Sequence, residues 1–561
     1  MDSNVGEERG AEEAVVISSG SSAGKENEPP EMPPWRFGLL CFGLSTGLFL
    51  SFLDTSIVAT SLFSIGSDFN DFGTVNWVAL AYTLSYLGCA VLLARISDVV
   101  GRRNAFMASY VVFIAFSLGC GFAQSLQQLI ACRALQGLGG SGLYSIVMIT
   151  LPEVSPPRHM QHLAGLIGIV ITISSVLGPV LGGVLTKYTT WRWIFWINGP
   201  FGAASMLLFY LTWPKPQYLP VIEYRSWREL DYLGSVLLIA AAVLIVFPFQ
   251  SAGATGDQWS QVIFIVPIVF GVLALIALFA WSVFMERRWG ETMAAALPMR
   301  LMRNRAYASA TLNTMLLGFP YIMTIYAFPL RLQVVNKKDP LMAGLLLLPM
   351  LGLSAIGSAV AGALNGKKDR SFETLLVATS LMVIGCGLST TLSGSIELEA
   401  KALGFLVFIG LGFGMTVSTT TMITSIQSSL RDHATAQGIV AQVRVLGGSI
   451  GIAASSAILG VIMRTRFGGD ISPGQLAALE SGATETLGSG LDLEAARQAY
   501  ANAFSKDMKV CAIVSGIAIL TSLGTFSRNR PTPEEHRKRQ IKDEADRKQA
   551  VAGSQPSQNE A

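Results

Sequence analysis

The chain has 561 residues, of which 51% are hydrophobic and only 14% are charged, and its formal net charge is +3. A soluble protein carries nearer to a quarter charged residues because it must cover its surface with them, so this composition excludes an ordinary soluble protein. The net charge by itself gives no indication of nucleic-acid binding.

Long apolar runs recur along the chain, and a run of about 20 apolar residues spans the hydrocarbon core of a bilayer. Because backbone hydrogen bonds must be satisfied within lipid, we expect these runs to be helices. The polar, acidic start lacks the basic and then apolar pattern of a cleavable signal peptide. Residues 1–36 and 527–561 are predicted to be disordered cytosolic tails, since they are polar and carry few residues that could build a core.

Between the tails, a 20-residue window of hydropathy predicts fourteen spans. Their centres lie near Thr46, Leu84, Phe113, Leu138, Ile173, Leu207, Ile239, Phe270, Leu317, Met350, Met382, Leu411, Gly448 and Gly516. A long polar stretch, 465–507, precedes the last span and includes a predicted amphipathic helix.

Basic residues in the short loops predict the orientation. They concentrate in alternate loops, as at Arg102, Arg103, Lys367 and Lys368, whereas the loops between hold few. This bias predicts that both termini face the cytosol, which an even number of spans requires.

Two basic loops echo each other, ARISDVVGRR after the second span and GALNGKKDR after the tenth. The echo indicates two related halves, as in transporters built from parallel repeats. We therefore predict an all-α membrane protein with a six-helix bundle over 37–213, two inserted helices with linkers over 214–305, and a second six-helix bundle over 306–526.

The loop ARISDVVGRR also resembles the cytosolic loop motif of the major facilitator superfamily, although Ala94 and Val99 depart from it. The resemblance implies a conformational gate formed by Asp98, Gly101, Arg102 and Arg103. Asp98 is expected near the N-terminus of the thirteenth span, where its charge would meet the helix dipole. The alternative is a basic loop that only sets the topology.

The fourth span contains Arg133, in LIACRALQGLGG, and the first span contains Asp54, in LDTSIVAT. A charge inside the membrane is costly, so Arg133 should face the interior and have a partner. Asp54 is the acid that we find well inside an apolar span. The two predict a proton switch, in which Arg133 favours the ionised acid whereas burial and substrate arrival oppose it. A static structural ion pair is the alternative.

LIACRALQGLGG resembles the Arg-x-x-Gln-Gly motif of that superfamily, and LDTSIVAT resembles the first-helix motif of its 14-helix drug:proton antiporter family. The fifth span adds SSVLGPVLGG, which resembles the antiporter motif Gly-Pro-x-x-Gly-Gly and is associated there with export. A kink and close helix packing are expected at this motif. Its residues are Gly178, Pro179, Gly182 and Gly183. WRWIFWINGPFG at 191–202 and DYLGS at 231–235 resemble the same family.

Several polar side chains are candidates for a substrate cavity. Gln136 shares a helical face with Arg133, and the others are Tyr82, Tyr321, Gln442 and Arg444. Arg444 either lines the cavity or lies near the cytosolic end of its span. His159 and His162 have no cysteine or acid companions, so we expect neither a metal site nor a cofactor.

The resemblance covers residues 37–526 and implies two six-helix bundles that rock about a midplane cavity. We expect a monomeric, fungal-type pump that exports a drug, toxin or secondary metabolite against protons, without nucleic-acid partners. The plasma membrane is the expected location, with the vacuolar membrane as alternative. Other possibilities are a siderophore or basic amino-acid transporter and a non-transporting receptor. We find no nucleophile–base set, metal cluster or phosphate loop, so we do not expect an enzyme.

Overall fold

A computed structural model describes residues 32–58, 61–69, 74–75, 77–155, 160–214, 226–255, 261–289, 293, 295–338, 340–366, 368–429, 432–467 and 493–528, and residues 532, 535–536, 539–540 and 542. Over these ranges the chain is almost entirely helical and contains no β-strand. Residues 1–31 of the predicted N-terminal tail, and most of the predicted C-terminal tail, lie outside the described residues.

The described residues form fourteen long helices, which we number α1 to α14 in chain order, and each contains the centre predicted for one span. They are α1 (Pro34–Ile57), α2 (Trp77–Val100), α3 (Arg102–Phe122), α4 (Leu126–Val154), α5 (Met160–Tyr188), α6 (Asn198–Thr212), α7 (Tyr232–Thr255), α8 (Val262–Trp289), α9 (Arg305–Val334), α10 (Leu348–Gly366), α11 (Ser371–Ser389), α12 (Lys401–Gln427), α13 (His433–Phe467) and α14 (Leu493–Leu523). Short helices at Leu62–Phe69, Trp193–Trp196, Met299–Arg303 and Pro340–Leu345 lie between them.

Of the helices that the structure describes, 13 segments are long and apolar enough to cross a membrane, and α14 is the exception. Its first half carries charged residues, whereas its second half exposes the apolar stripe Ile513, Ile517 and Leu520. The predicted amphipathic helix and the predicted last span therefore form one continuous helix with a polar beginning.

The inserted helices α7 and α8 lie at the periphery. In α8 only 11% of the most apolar window is buried, against 83% in α4. Ile263, Phe270 and Ile276 of α8 are exposed, as expected for side chains that face lipid. α8 packs mainly on α7, and α7 contacts both α2 and α13, so the inserted pair lies against both halves of the molecule.

The two halves repeat one packing pattern, offset by eight helices. α4 packs on α2 and α3 as α12 packs on α10 and α11, and α1 packs on α5 as α9 packs on α13. Glycines permit the close contacts, since a Cβ at Gly137 would meet the backbone of Tyr82 and a Cβ at Gly414 would meet that of Ser354. The fold thus consists of two six-helix bundles related as parallel repeats.

The bundles meet through α2 with α13 and through α5 with α10. We call the membrane side that holds residues 95–103 the inner end, because the loop charges predict that it faces the cytosol, and the opposite side the outer end. Towards the inner end, a Cβ at Gly438 would lie 2.7 Å from Val91 Cγ2, and Gln442 Nε2 donates to Leu87 O at 2.8 Å. The inner halves of α2 and α13 are therefore closed against each other.

Candidate functional site

Asp54, three residues before the end of α1, is completely buried and contacted by two other helices. Its carboxylate pairs with Arg133 of α4. Its Oδ1 also accepts hydrogen bonds from Gln136 Nε2 at 2.9 Å and from Asn198 Nδ2 at 3.0 Å. Both oxygens therefore have donors, so the burial of this charge is compensated. We call these four residues the acid cluster.

Arg133 is held on several sides at once. Its Nε donates to Val78 O in α2 at 3.1 Å, and its Nη1 donates to Gln136 Oε1 at 2.8 Å. The guanidinium carbon lies 4.2 Å from the centroid of the Tyr82 ring and 5.6 Å from that of Phe195. Such cation–π contacts contribute about 0.5–2 kcal/mol each. This arginine thus has the interior partners that a charge within a membrane requires.

Local sequence explains how the cluster assembles. Arg133 and Gln136 lie one turn apart on α4 and so share a face. A Cβ at Gly140 would overlap the Tyr82 hydroxyl, so α2 reaches this position only because α4 has glycine there. The Tyr82 hydroxyl then donates to Ser51 O of α1 at 3.0 Å. Gln136 and Tyr82, predicted for the substrate cavity, are thereby buried in and beside the acid cluster.

Asn198 is a member of the cluster that sequence reasoning missed. It is the first residue of α6, and besides Asp54 its Nδ2 donates to Ser117 Oγ of α3 at 3.0 Å. Its buried Oδ1 has no hydrogen-bond partner among the described residues. An amide inside the apolar segment that precedes Gly199 was the available signal, but the tryptophans of that segment drew the interpretation towards a membrane-interface belt.

The acid cluster can take up a proton only if its hydrogen bonds rearrange. A proton on Asp54 would occupy an oxygen that now accepts from Arg133, Gln136 or Asn198. Because these donors belong to α4 and α6, the loss of one changes the contact between α1 and those helices. The geometry therefore allows protonation to be linked to helix movement.

The antiporter motif lies next to this cluster. A Cβ at Gly178 of α5 would overlap Ser56 Oγ, two residues after Asp54, and Ser56 Oγ donates to Ser174 O at 3.3 Å. Gly182 is buried and Gly183 half-buried, and α5 continues through position 179, where the Pro179 side chain is outside the described part of the chain. The motif thus brings α5 against the end of α1 that carries the acid.

The predicted gate residues Asp98, Gly101 and Arg102 lie together at the inner end. Arg102 bonds Asp98 at 2.6 Å and Glu153 of α4 at 2.9 Å. Gly101 has φ 92°, in the left-handed region that favours glycine. The turn between α2 and α3 therefore needs this glycine to bring Arg102 onto the two acids.

The connection to the second bundle is made by Arg95, which sequence reasoning did not select. Arg95 lies 3.7 Å from Asp98 and 3.9 Å from Asp432, the residue before α13. Asp432 also pairs with Arg300 at 2.6 Å. We expected Asp98 near the N-terminus of α13, and it reaches that end through Arg95. The intervening arginine separates two carboxylates that would otherwise repel each other.

Arg103, the remaining gate candidate, makes a different contact. Its guanidinium carbon lies 4.5 Å from the ring centroid of Tyr210 in α6. Both residues belong to the first bundle, so this cation–π contact does not join the bundles.

The other cavity candidates lie in the second bundle. Tyr321 of α9 is buried and stacks on Phe413 of α12, with ring centroids 3.5 Å apart. Gln442 is buried where α13 packs on α2, and its side chain donates a hydrogen bond to α2 there. Arg444 is half-buried, and its Nε donates to Thr314 Oγ1 of α9 at 3.1 Å.

A further acid buried inside a long helix is Asp507, in the polar first half of α14. Its Oδ2 accepts from Ser455 Oγ of α13 at 2.6 Å, whereas its Oδ1 has no hydrogen-bond partner among the described residues. The sequence assigned residue 507 to the polar stretch before the last span, so Asp54 was taken as the one acid deep in the protein. The continuity of α14 is what buries Asp507.

Metal-binding groups are not assembled in the described part of the chain, where no three His, Cys, Asp or Glu side chains come together. All six cysteines are free thiols. His159 and the side chain of His162 lie outside the described residues, so the expectation for that pair stays a prediction.

Comparison with known proteins identifies relatives over most of the chain. The family model for the Major Facilitator Superfamily matches residues 44–452. The chain is 33% identical over 523 residues to MFS-type transporter FPY5 of Fusarium mangiferae, covering 90% of this chain and 86% of that protein. It is 31% identical over 427 residues to Efflux pump FUS6 of Gibberella moniliformis, covering 75% and 74%.

Among solved structures, the fold is similar to that of a bacterial homologue of the human lysosomal transporter Spinster in an inward-facing, unoccupied conformation. The TM-score is 0.54 at 16% identity, over 89% of this chain and 100% of that chain. At this identity the likeness concerns the fold alone. The family match and the relatives described above confirm the family predicted from the sequence. This chain is a multi-pass membrane transporter of the Major Facilitator Superfamily.

Proposed function

We propose that this transporter exports small organic molecules in exchange for protons. The observation that carries the proposal is the completely buried Asp54, whose hydrogen-bond donors come from α4 and α6. A related protein named Efflux pump FUS6 supports the direction of transport. The contact of the antiporter motif with α1 beside this acid supports the coupling.

In the proposed cycle, the protein opens to the cytosol and binds substrate between the bundles. The bundles then rock, close the inner end and release the substrate outside. A proton enters from the outside, binds Asp54 and weakens its pairing with Arg133. The weakened pairing between Asp54 and Arg133 drives the return to the inward-open state, in which the proton leaves Asp54 for the cytosol.

The proposed orientation has both termini in the cytosol, and the proposed location is the plasma membrane. The basic residues at the inner end, such as Arg287 and Arg288 in the last turn of α8, agree with this orientation. Protease access to terminal tags in intact and permeabilised cells tests it, and cleavage of either tag in intact cells would exclude it.

The proposed function is tested by efflux from cells that lack their own pumps, with a proton uncoupler as control. Asp54→Asn should abolish proton-driven efflux while the protein still reaches the membrane. The matched control is Asp68→Asn, which changes an exposed acid that pairs with Arg192 at 3.7 Å near the outer end. This control should leave efflux within about twofold of the wild type, since exposed pairs contribute little.

Undiminished proton-driven efflux in Asp54→Asn would remove Asp54 from the mechanism. Accumulation instead of loss of a compound in expressing cells would favour an uptake transporter, such as one for a siderophore or an amino acid. An absence of any transport in vesicles would favour a receptor.

A further inference from the structure

Arg444 is a cation inside a spanning helix, and no acid in the described part of the chain neutralises it. It is the twelfth residue of α13, so it lies roughly 17 Å from the inner end of that helix, about half the thickness of the hydrocarbon core. Its Nε donates to the neutral Thr314 Oγ1 at 3.1 Å. Among the described residues no carboxylate pairs with it, and the side chain stays half-buried.

Aromatic side chains of the first bundle lie opposite this arginine. Phe52 of α1, Tyr86 of α2 and Tyr144 of α4 form a cluster with centroid separations of 5.8 Å, 5.9 Å and 6.3 Å. The helices α4 and α13 contact each other across the boundary between the bundles, and there Tyr144 of α4 interacts electrostatically with Arg444 of α13. We call Arg444 and these three rings the central site.

Tyr86 adds to the central site a polar group that the described residues leave unsatisfied. The Tyr86 hydroxyl is buried and makes no hydrogen bond to a described residue. A buried hydroxyl without a partner costs free energy, and so does a membrane cation without a counter-ion. A ligand that carries an acceptor and a negative charge would relieve both costs.

The two faces of the site favour different parts of one ligand. A guanidinium binds carboxylate and similar oxyanions with paired, charge-assisted hydrogen bonds. The rings offer a flat apolar surface suited to an aromatic body. A cationic ligand would instead meet the charge of Arg444, while the nearby acid Asp54 is already occupied by Arg133, Gln136 and Asn198.

We infer that the central site binds organic anions, with the acidic group on Arg444 and an aromatic body against Phe52, Tyr86 and Tyr144. The inference rests on the proposed function and adds the substrate class to it. The position of the site between the bundles means that rocking of one bundle against the other separates Arg444 from the rings, which weakens binding and releases the anion.

The test uses purified protein, first for binding and then in proteoliposomes with an imposed pH gradient. The probes are fluorescein, an anion, and tetramethylrhodamine methyl ester, a cation with the same ring system. The variants are Arg444→Gln, which removes the charge, and Arg444→Lys, which keeps it. Arg466→Gln, an exposed arginine of the same helix, is the matched control.

We expect wild type and Arg466→Gln to bind and export fluorescein in preference to the rhodamine ester. Arg444→Gln should lose about tenfold or more in fluorescein affinity and export rate, because a charge-assisted contact is removed. Arg444→Lys should recover part of both. Phe52→Leu should weaken fluorescein binding by a few-fold, since it removes one ring of the wall.

Binding of the rhodamine ester alone, binding of neither dye, or an equal loss of both dyes in Arg444→Gln would overturn the inference. The variant Asp54→Asn distinguishes the anion site from the proposed proton-driven export. It should still bind fluorescein but not export it. If fluorescein binding depends on Arg444 but export does not depend on the pH gradient, the result would contradict proton coupling and still support the anion site.

Discussion

Arg133 and Arg444 both lie within spanning helices, one in each bundle, and their surroundings are opposite. Arg133 has the carboxylate of Asp54, the carbonyl of Val78 and the ring of Tyr82 around it. Among the described residues, Arg444 has one hydrogen bond, to the neutral hydroxyl of Thr314. The first arginine completes an internal ion pair, whereas the second leaves its charge available to a ligand.

The buried acids show the same contrast. Asp54 accepts hydrogen bonds from three side chains, and Asp507 accepts one from Ser455. Asp507 does not compensate Arg444, because Ser455 lies eleven residues further along α13, roughly 17 Å away. Deep inside the helices, the first bundle therefore brings Asp54 and Arg133 together, whereas the second bundle keeps Asp507 and Arg444 apart.

The largest effect expected from this contrast is on stability after the loss of Arg133. Arg133→Ala leaves a buried carboxylate without its cation, which costs about 3–5 kcal/mol. Arg444→Ala removes no ion pair and should change the free energy of unfolding by less than about 1 kcal/mol. Thermal unfolding of both variants in detergent measures the difference. Equal melting temperatures would show that Arg133 and Asp54 are not energetically coupled.

An effect of intermediate size is expected from loss of the pair between Asp432 and Arg95, because this pair joins the bundles at the inner end. Asp432→Asn weakens contacts at 3.9 Å to Arg95 and 2.6 Å to Arg300. We expect the equilibrium between a closed and an open inner end to shift by about 1–2 kcal/mol towards the open state. The shift should appear as faster hydrogen exchange at the inner ends of α2 and α13. Arg103→Ala, whose contact with Tyr210 stays within one bundle, should not speed exchange in α13. Equal exchange in both variants would contradict a gate at Asp432.

Asp507→Asn tests whether the buried acid of α14 behaves like Asp54. An amide can accept the hydrogen bond of Ser455 Oγ and carries no charge into the interior, so stability should fall by less than about 1 kcal/mol. Proton-driven efflux should stay within about twofold of wild type, unlike in Asp54→Asn. A complete loss of coupling in Asp507→Asn, at normal expression, would make Asp507 a second proton site and erase the contrast between the bundles.

The smallest effect is expected at Glu399, in the loop before α12. Hydrogen bonding by Lys401, and then by Ser393, lowers the pKa of Glu399 to about 2. A depressed folded-state pKa means that the ionised acid stabilises the fold above its ordinary pKa, and that this stability is lost as the pH falls towards about 2. Because Glu399 is half-buried in a loop beside the exposed Ser393 and Lys401, Glu399→Gln should cost at most about 0.5 kcal/mol. Melting curves of variant and wild type should run parallel from neutral pH to about pH 5, and divergence there would mean a larger structural role.

The sequence alone determined the features that depend on local composition. Fourteen runs of apolar residues predicted fourteen helices, because the length that crosses a bilayer is a property of each run. Asp54 and Arg133 were recognisable because a charge within such a run is rare and costly. Short motifs with fixed spacing, as at Asp98 to Arg102 and at Gly178, also identified the family.

Only the tertiary structure decided which polar groups meet. Asn198 joins Asp54 because α6 packs beside α1, and Arg95 meets Asp432 because α2 packs against α13. The continuity of α14 buries Asp507, which hydropathy had left in a polar stretch. That Arg444 meets no acid among the residues the structure describes is likewise a property of its neighbours. A helix of 3.6 residues per turn reveals which residues share a face, but the partner of that face is set by packing between helices far apart in the chain.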